Sequence, residues 1–400
     1  MNRRELLAAL MATTLPFPAG AAACLDPEAN VQDIAWLAEQ LAQHYAYLAD
    51  RHIDLAKLRA IYGDAARGAC DPHAFLGVLE RCLAELHDHH IEAGVNNADS
   101  PCLVPTGAEA WASFQDGRAV VEAVHGSLWD AGVRPGDEIT AIGGRPVRDA
   151  VAAAAPRALN GPDPEADDYT LRVLLAGTHS ARRVFAIGGK DIDLPPHAAS
   201  PGGEILNTVM FGDVGYARVG NSLGNGDLVP TFDAALDGML DARALILDLR
   251  HTPSGGNTDV AEPMMGRFIA QTEGYQRVQE HDGSAYVRTV APRGKTFTAP
   301  LVVLCDRWTG SMGEGMTIGL DGVKRATVIG TRMAGLCGAT DGFMLPNSKI
   351  NVQFPVERLA HLDGTPREKW VPPVLVDLAH AKGADPILAR GLAEFGIKLH

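Results

Sequence analysis

The stretch Leu301-Val302-Val303-Leu304-Cys305-Asp306-Arg307-Trp308-Thr309-Gly310-Ser311-Met312-Gly313-Glu314 decides how this chain folds. Its five leading apolar residues have the length and β-branched content of a buried strand. Residues 312–320 suit a helix, so Ser311 falls on a strand-to-helix turn. Gly310 and Gly313 leave room for a tight backbone and for close approach of a substrate. A serine on such a turn has its hydroxyl held out of the sheet, with helix N-terminal N–H groups behind it. That arrangement suits a nucleophile and an oxyanion. Alone, such a pattern is usually a plain helix N-cap, and the rest of the chain has to decide.

Upstream, residues 244–249 read as a second buried strand that runs into Arg250-His251-Thr252-Pro253-Ser254-Gly255-Gly256-Asn257. A glycine pair beyond a buried strand exposes backbone N–H groups at the carboxyl edge of a sheet, where α/β proteins place ligands. The N–H groups of Gly256 and Met312 are the expected oxyanion pair. A third strand is expected at 214–219, and helices at 232–240 and 264–271. Strands alternating with helices give an α/β core with a largely parallel sheet.

The N-terminal third reads differently. Ile34, Leu37, Leu41, Tyr45 and Leu48 recur at helical spacing, a second helix is expected at about 54–67, and a third follows Asp71-Pro72 through Leu86. These make a small helical domain that ends in His87-Asp88-His89-His90. Next come Ala119-Val120-Val121, the turn Arg134-Pro135-Gly136-Asp137 and the hairpin Gly143-Gly144. That order resembles a PDZ-type domain, and such modules bind extended peptides by adding a strand to an open sheet edge. Residues 161–201, rich in Pro, Gly and Asp, read as its end and a linker, with strand-like patches at 169–175 and 183–187. The domains expected are therefore a leader at 1–23, helices at 24–103, the PDZ-like unit and linker at 104–200, and the catalytic core at 201–400.

Composition narrows the function. The 400 residues are 46% hydrophobic, enough for a sizeable core in two or three domains. Against 35 Lys+Arg stand 49 Asp+Glu, a net charge of −14 with no long basic run, which argues against a nucleic-acid partner. Basic residues at 3–4, an apolar run and then alanines up to Ala23 have the layout of a secretory leader, too short to span a bilayer. The expected location is periplasmic or secreted, with a lipid anchor on Cys24 the minority alternative. Cys70, Cys82 and Cys102 cluster where an oxidising compartment permits a disulfide of unspecified pairing.

Together these segments resemble the C-terminal processing (tail-specific) peptidase family, serine peptidases S41, in its tricorn-core-like branch. The carriers are Leu247-Asp248-Leu249-Arg250 through Gly255-Gly256, then Thr309, Ser311 and Glu314, then Lys324-Arg325-Ala326-Thr327-Val328-Ile329-Gly330. The resemblance implies a ClpP/crotonase-like α/β core and gives Ser311 the role of nucleophile. Where many members carry a base lysine, this chain reads Ala334-Gly335-Leu336-Cys337-Gly338, so Leu336 replaces it and no Ser/Lys dyad exists. The tricorn-like branch uses histidine instead. By that match His90 is the general base, a role that suits imidazole as the side chain that ordinarily titrates near neutrality. Glu368, in Arg367-Glu368-Lys369-Trp370, becomes the carboxylate that orients it. His89 takes the position of an auxiliary serine, and His251 is a substitute base candidate. Glu314 is read as capping or pairing near its own helix. A zinc site at His87, His89 and His90 is set aside because no second ligand cluster completes it.

The implied activity is that of an exported serine endopeptidase acting on polypeptides, with no cofactor and no metal. Its alternatives are a catalytically inactive member that binds a peptide or small ligand, as the retinoid-binding branch does, and an esterase-type serine hydrolase. A homo-oligomer is left open.

Overall fold

The structure, a computed structural model, describes residues 15–16, 26–197 and 203–399. The leader at 1–23 and Cys24, apart from a two-residue strand at Leu15–Pro16, lie outside the described residues. Backbone contacts divide the chain into two compact units, one holding 26–197 and 337–358, the other 203–336 and 359–399. No described helix is long and apolar enough to cross a membrane.

In the first unit three helices, Pro27–His44, Leu55–Arg67 and Pro72–Ala84, begin where the sequence stops them from beginning earlier. Asp26, Asp54 and Asp71 each cap a free N–H of the first turn, and Pro27 and Pro72 follow two of them. Their apolar stripes meet in one core with Leu345, Ile350, Val352 and Phe354. Those four belong to a hairpin, 339–344 against 351–357, that comes from far along the chain. A separate core sits in the same unit, between an antiparallel sheet and the helices Val147–Ala154 and Pro164–Ala176. The sheet runs in the order 110–115, 118–124, 138–142, 183–187, 190–194.

Three sequence expectations need correction. Residues 169–175 are not a strand but the second half of helix Pro164–Ala176. Asp163 accepts the Glu165 N–H at 2.9 Å and Pro164 sets the first turn, and this start signal outweighs the β-favouring Tyr169, Thr170 and Val173. The helix expected at 264–271 runs instead from Thr258 to Met265, because Asn257 caps it through Val260. Cys70, Cys82 and Cys102 are free thiols, so the disulfide their clustering permits is not formed.

The second unit is the α/β core. Its sheet runs 206–211, 214–219, 244–248, 301–305, 326–330, 374–375, parallel throughout except for the first strand. Both faces are covered, so the central strands are continuously apolar. Leu245, Leu247, Leu301, Val303 and Cys305 point to one core, with helices Leu228–Asp237, Thr258–Met265 and Met312–Gly322. Ile246, Val302 and Leu304 point to the other, closed by helix Pro386–Ala393. The strands at 244–248 and 301–305 are hydrogen-bonded neighbours, so the loops leaving their carboxyl ends emerge side by side.

Candidate active site

Those two loops are stitched together before any reactive group is placed. Leu249 O accepts from the hydroxyls of Thr252 (2.8 Å) and Thr309 (3.1 Å), both fully buried. Thr252 O in turn accepts the N–H groups of Gly255 (2.9 Å) and Gly310 (3.1 Å). Below them Asp248 holds Arg250, whose other edge grips Asp385 at 2.7 and 2.9 Å, the cap of the last helix. Against the cost of burial, Arg250 and Tyr216 keep the Asp248 carboxyl below the usual range.

Ser311 sits where the second loop turns into helix Met312–Gly322, at φ 47° and ψ −111°. A side chain with positive φ costs about 1–3 kcal/mol and persists only where neighbours enforce it. Here glycines enforce it by letting backbones touch. A Cβ on Gly255 would lie 2.3 Å from the Ser311 Cβ and 2.9 Å from the Met312 N; one on Gly310 would meet Pro253 O at 2.5 Å. On Gly313 it would meet the Thr252 hydroxyl at 2.3 Å. Because Gly255 gives its N–H to Thr252, the next one along, on the exposed Gly256, is the N–H of this pair left for a ligand.

Glu314, which the sequence assigned a capping role, clamps the turn. Its carboxylate is wholly buried and accepts from Ser311 N (2.8 Å), Gly335 N (2.8 Å) and Leu336 N (3.2 Å). Burial pushes this carboxyl up to about 7, against the pull of the Arg367 guanidinium and the three N–H groups. Arg367 closes the same ring from outside, donating to Ser311 O (3.3 Å) and Leu336 O (2.8 Å). Glu368 therefore stands on a short turn, Arg367–Lys369, that is tied directly to the serine turn. Leu336 is buried, with Cδ1 3.3 Å from where a Gly310 Cβ would be. An apolar side chain thus fills the place beside the serine turn where the matched segment calls for a lysine.

His90 and His89 belong to the other unit. Asp88, buried, fixes their turn by accepting the Tyr45 hydroxyl (2.8 Å) and the His90 N–H (2.9 Å). His90 Nδ1 lies 2.5 Å from Cys337 O. A carbonyl can only accept, so Nδ1 carries the proton and Nε2 keeps its lone pair. That is the tautomer a general base requires. His89 is turned elsewhere: its ring stacks on Tyr169 at 4.5 Å and meets Trp111 edge-on at 6.0 Å. Burial, with Arg172 and Arg51 nearby, holds it well below the ordinary histidine range. Its ring packs against those two side chains. His87, also buried, sits 3.2 Å from Asp163. His251 is exposed on the loop before Thr252. No group of His, Cys, Asp and Glu suited to a metal occurs among the described residues.

Two roles escaped the sequence reading. The Cys337 carbonyl as the partner of His90 leaves no side-chain signal at all. Arg367 lay beside Glu368 in the motif and was legible only as a charge.

Comparison with known proteins agrees with this architecture. Residues 213–375 match the model of peptidase family S41. Among solved structures, mature CPAF complexed with lactacystin is similar at a TM-score of 0.57 and 15% identity, over 92% of this chain and 97% of that one. The photosystem II D1 C-terminal processing protease is similar at a TM-score of 0.55 and 16% identity, over 89% and 95%. At such identities the likeness is one of fold. Against curated proteins the sequence finds no significant match.

Proposed function

From the match of residues 213–375 to peptidase family S41 we propose that this chain is an exported serine endopeptidase working without a lysine. In this reading Ser311 attacks a peptide carbonyl and His90 takes its proton, later giving it to the leaving amine. Glu368 orients His90, and the N–H groups of Gly256 and Met312 hold the tetrahedral anion. An acyl-enzyme on Ser311 is then hydrolysed by water. The sheet at 110–194 acts as the PDZ-like module that presents an extended chain, and the leader at 1–23 directs export.

The observation that carries this reading is the backbone of Ser311. A φ of 47° on a non-glycine residue, enforced by three glycine contacts and a buried carboxylate, is a costly conformation for a mere helix cap. The His90 tautomer supports the base assignment independently. Casein and a matched ester, assayed with wild type and Ser311→Ala, test the class of reaction. Turnover of casein that Ser311→Ala abolishes is expected; turnover of the ester alone makes the chain an esterase, and turnover of neither makes it a binding protein.

A further inference from the structure

Strand Glu273–Glu280 packs along helix Met312–Gly322 through the helix's glycines. Tyr275 lies against Gly319, and Gln276 lies one turn nearer Ser311, against Gly315. Gln276 is only 4% exposed, and its Oε1 is fully inaccessible with no hydrogen-bond partner among the described residues. Buried carbonyl oxygens are nearly always paired, and leaving one unpaired is destabilising. The Met312 side chain reaches the same face of Gly315. A Cβ placed on Gly315 would meet Met312 Cε at 3.1 Å and Gln276 Oε1 at 3.4 Å, so thioether and amide converge on one spot. Met312 directly follows the nucleophile, and an unbranched thioether moves between rotamers at little cost.

We propose that Gln276 is a specificity-determining residue, and that substrates are polypeptides with an uncharged hydrogen-bond-donating side chain (Ser, Thr, Asn or Gln) on the acyl side of the scissile bond. This rests on Ser311 being the nucleophile. The substrate side chain displaces the Met312 thioether and donates to Gln276 Oε1, giving that oxygen the partner it lacks in the free protein. A pocket built to hydrogen-bond a substrate group rejects the apolar analogue strongly, whereas an apolar pocket discriminates weakly. Arg288 stands directly opposite Gln276 on the neighbouring strand, and its cation favours a neutral donor over an ammonium.

The test is a cleavage-site profile on a peptide library, read by mass spectrometry, for wild type, Gln276→Met and Gln276→Leu, with fluorophosphonate labelling of Ser311 run in parallel. Wild type is expected to cleave after Ser, Thr, Asn or Gln at least about tenfold faster than after Leu or Met. In Gln276→Met the ratio falls to within about twofold, or inverts, while labelling of Ser311 stays within about threefold of wild type. A wild-type preference for apolar residues, or an unchanged ratio in both variants, overturns the assignment. Loss of labelling in both variants also overturns it, since Gln276 is then a structural residue. Absence of labelling in wild type itself refutes the nucleophile, and this inference with it, which separates the two failures.

Discussion

Replacing Ser311 by glycine and by alanine gives opposite readings of the same turn. Both variants lose the hydroxyl, and with it the proposed nucleophile; they differ only in the Cβ. At φ 47° that Cβ is strained by about 1–3 kcal/mol. Glycine relieves the strain but gains more freedom in the unfolded chain, a loss of about 0.5–1 kcal/mol relative to alanine. The net expectation is that Ser311→Gly is more stable than Ser311→Ala by clearly more than the ~1 kcal/mol by which glycine already exceeds alanine at an ordinary N-cap. Urea melts followed by circular dichroism measure the difference in midpoint at constant slope. A gap no larger than the ordinary N-cap one refutes the idea that this turn stores strain, and with it the main argument against a simple N-cap.

Four further outcomes follow from the same geometry. Gly255→Ala forces a Cβ to 2.3 Å from the Ser311 Cβ, and should cost at least about 2 kcal/mol and abolish casein turnover. Glu314→Gln keeps the side chain's shape but sets an NH2 against an N–H donor, and should lose about 1–3 kcal/mol at pH 8. The folded Glu314 carboxyl titrates near 7, above its unfolded value, so the folded state binds that proton more tightly. Wild type should therefore gain stability relative to Glu314→Gln as pH falls from about 7 towards 4.5, while its Ser311 reactivity declines because a protonated clamp accepts fewer N–H groups; parallel melts and labelling rates at each pH check both signs. Leu336→Lys, placing an amine beside the serine turn, should restore part of the labelling lost in a His90→Ala background, with an activity rising at alkaline pH as the lysine deprotonates; no rescue at any pH contradicts the match of Leu336 to the lysine position.

Much of the catalytic unit was legible because its signals are local. The runs read at 244–249 and 301–305 hold five-residue strands, Ala244–Asp248 and Leu301–Cys305, buried on both faces, and the glycines that follow them are where backbones meet. Ser311 and Glu314 could be read because a helix start fixes both positions three residues apart. Helix Pro164–Ala176 was misread because Tyr169, Thr170 and Val173 favour strands, whereas the deciding residues, Asp163 and Pro164, sit five positions earlier. The hairpin at 339–357 joins the core of the N-terminal helices, a pairing across about 250 residues that no window of sequence exposes. The proton on His90 is set by a backbone carbonyl, and any residue at 337 would supply one. No sequence signal marks Gln276; only its missing partner sets it apart.

The central claim is that an imidazole, with no amine to help it, activates the Ser311 hydroxyl. Its most direct test is the rate at which a fluorophosphonate labels this protein, with the modified residue mapped by peptide mass spectrometry, in wild type and His90→Ala. The account expects the label on Ser311 and a rate at least about a hundredfold slower in His90→Ala, the scale of a lost general base. A label on another residue, or a Ser311 rate that His90→Ala leaves unchanged, contradicts it.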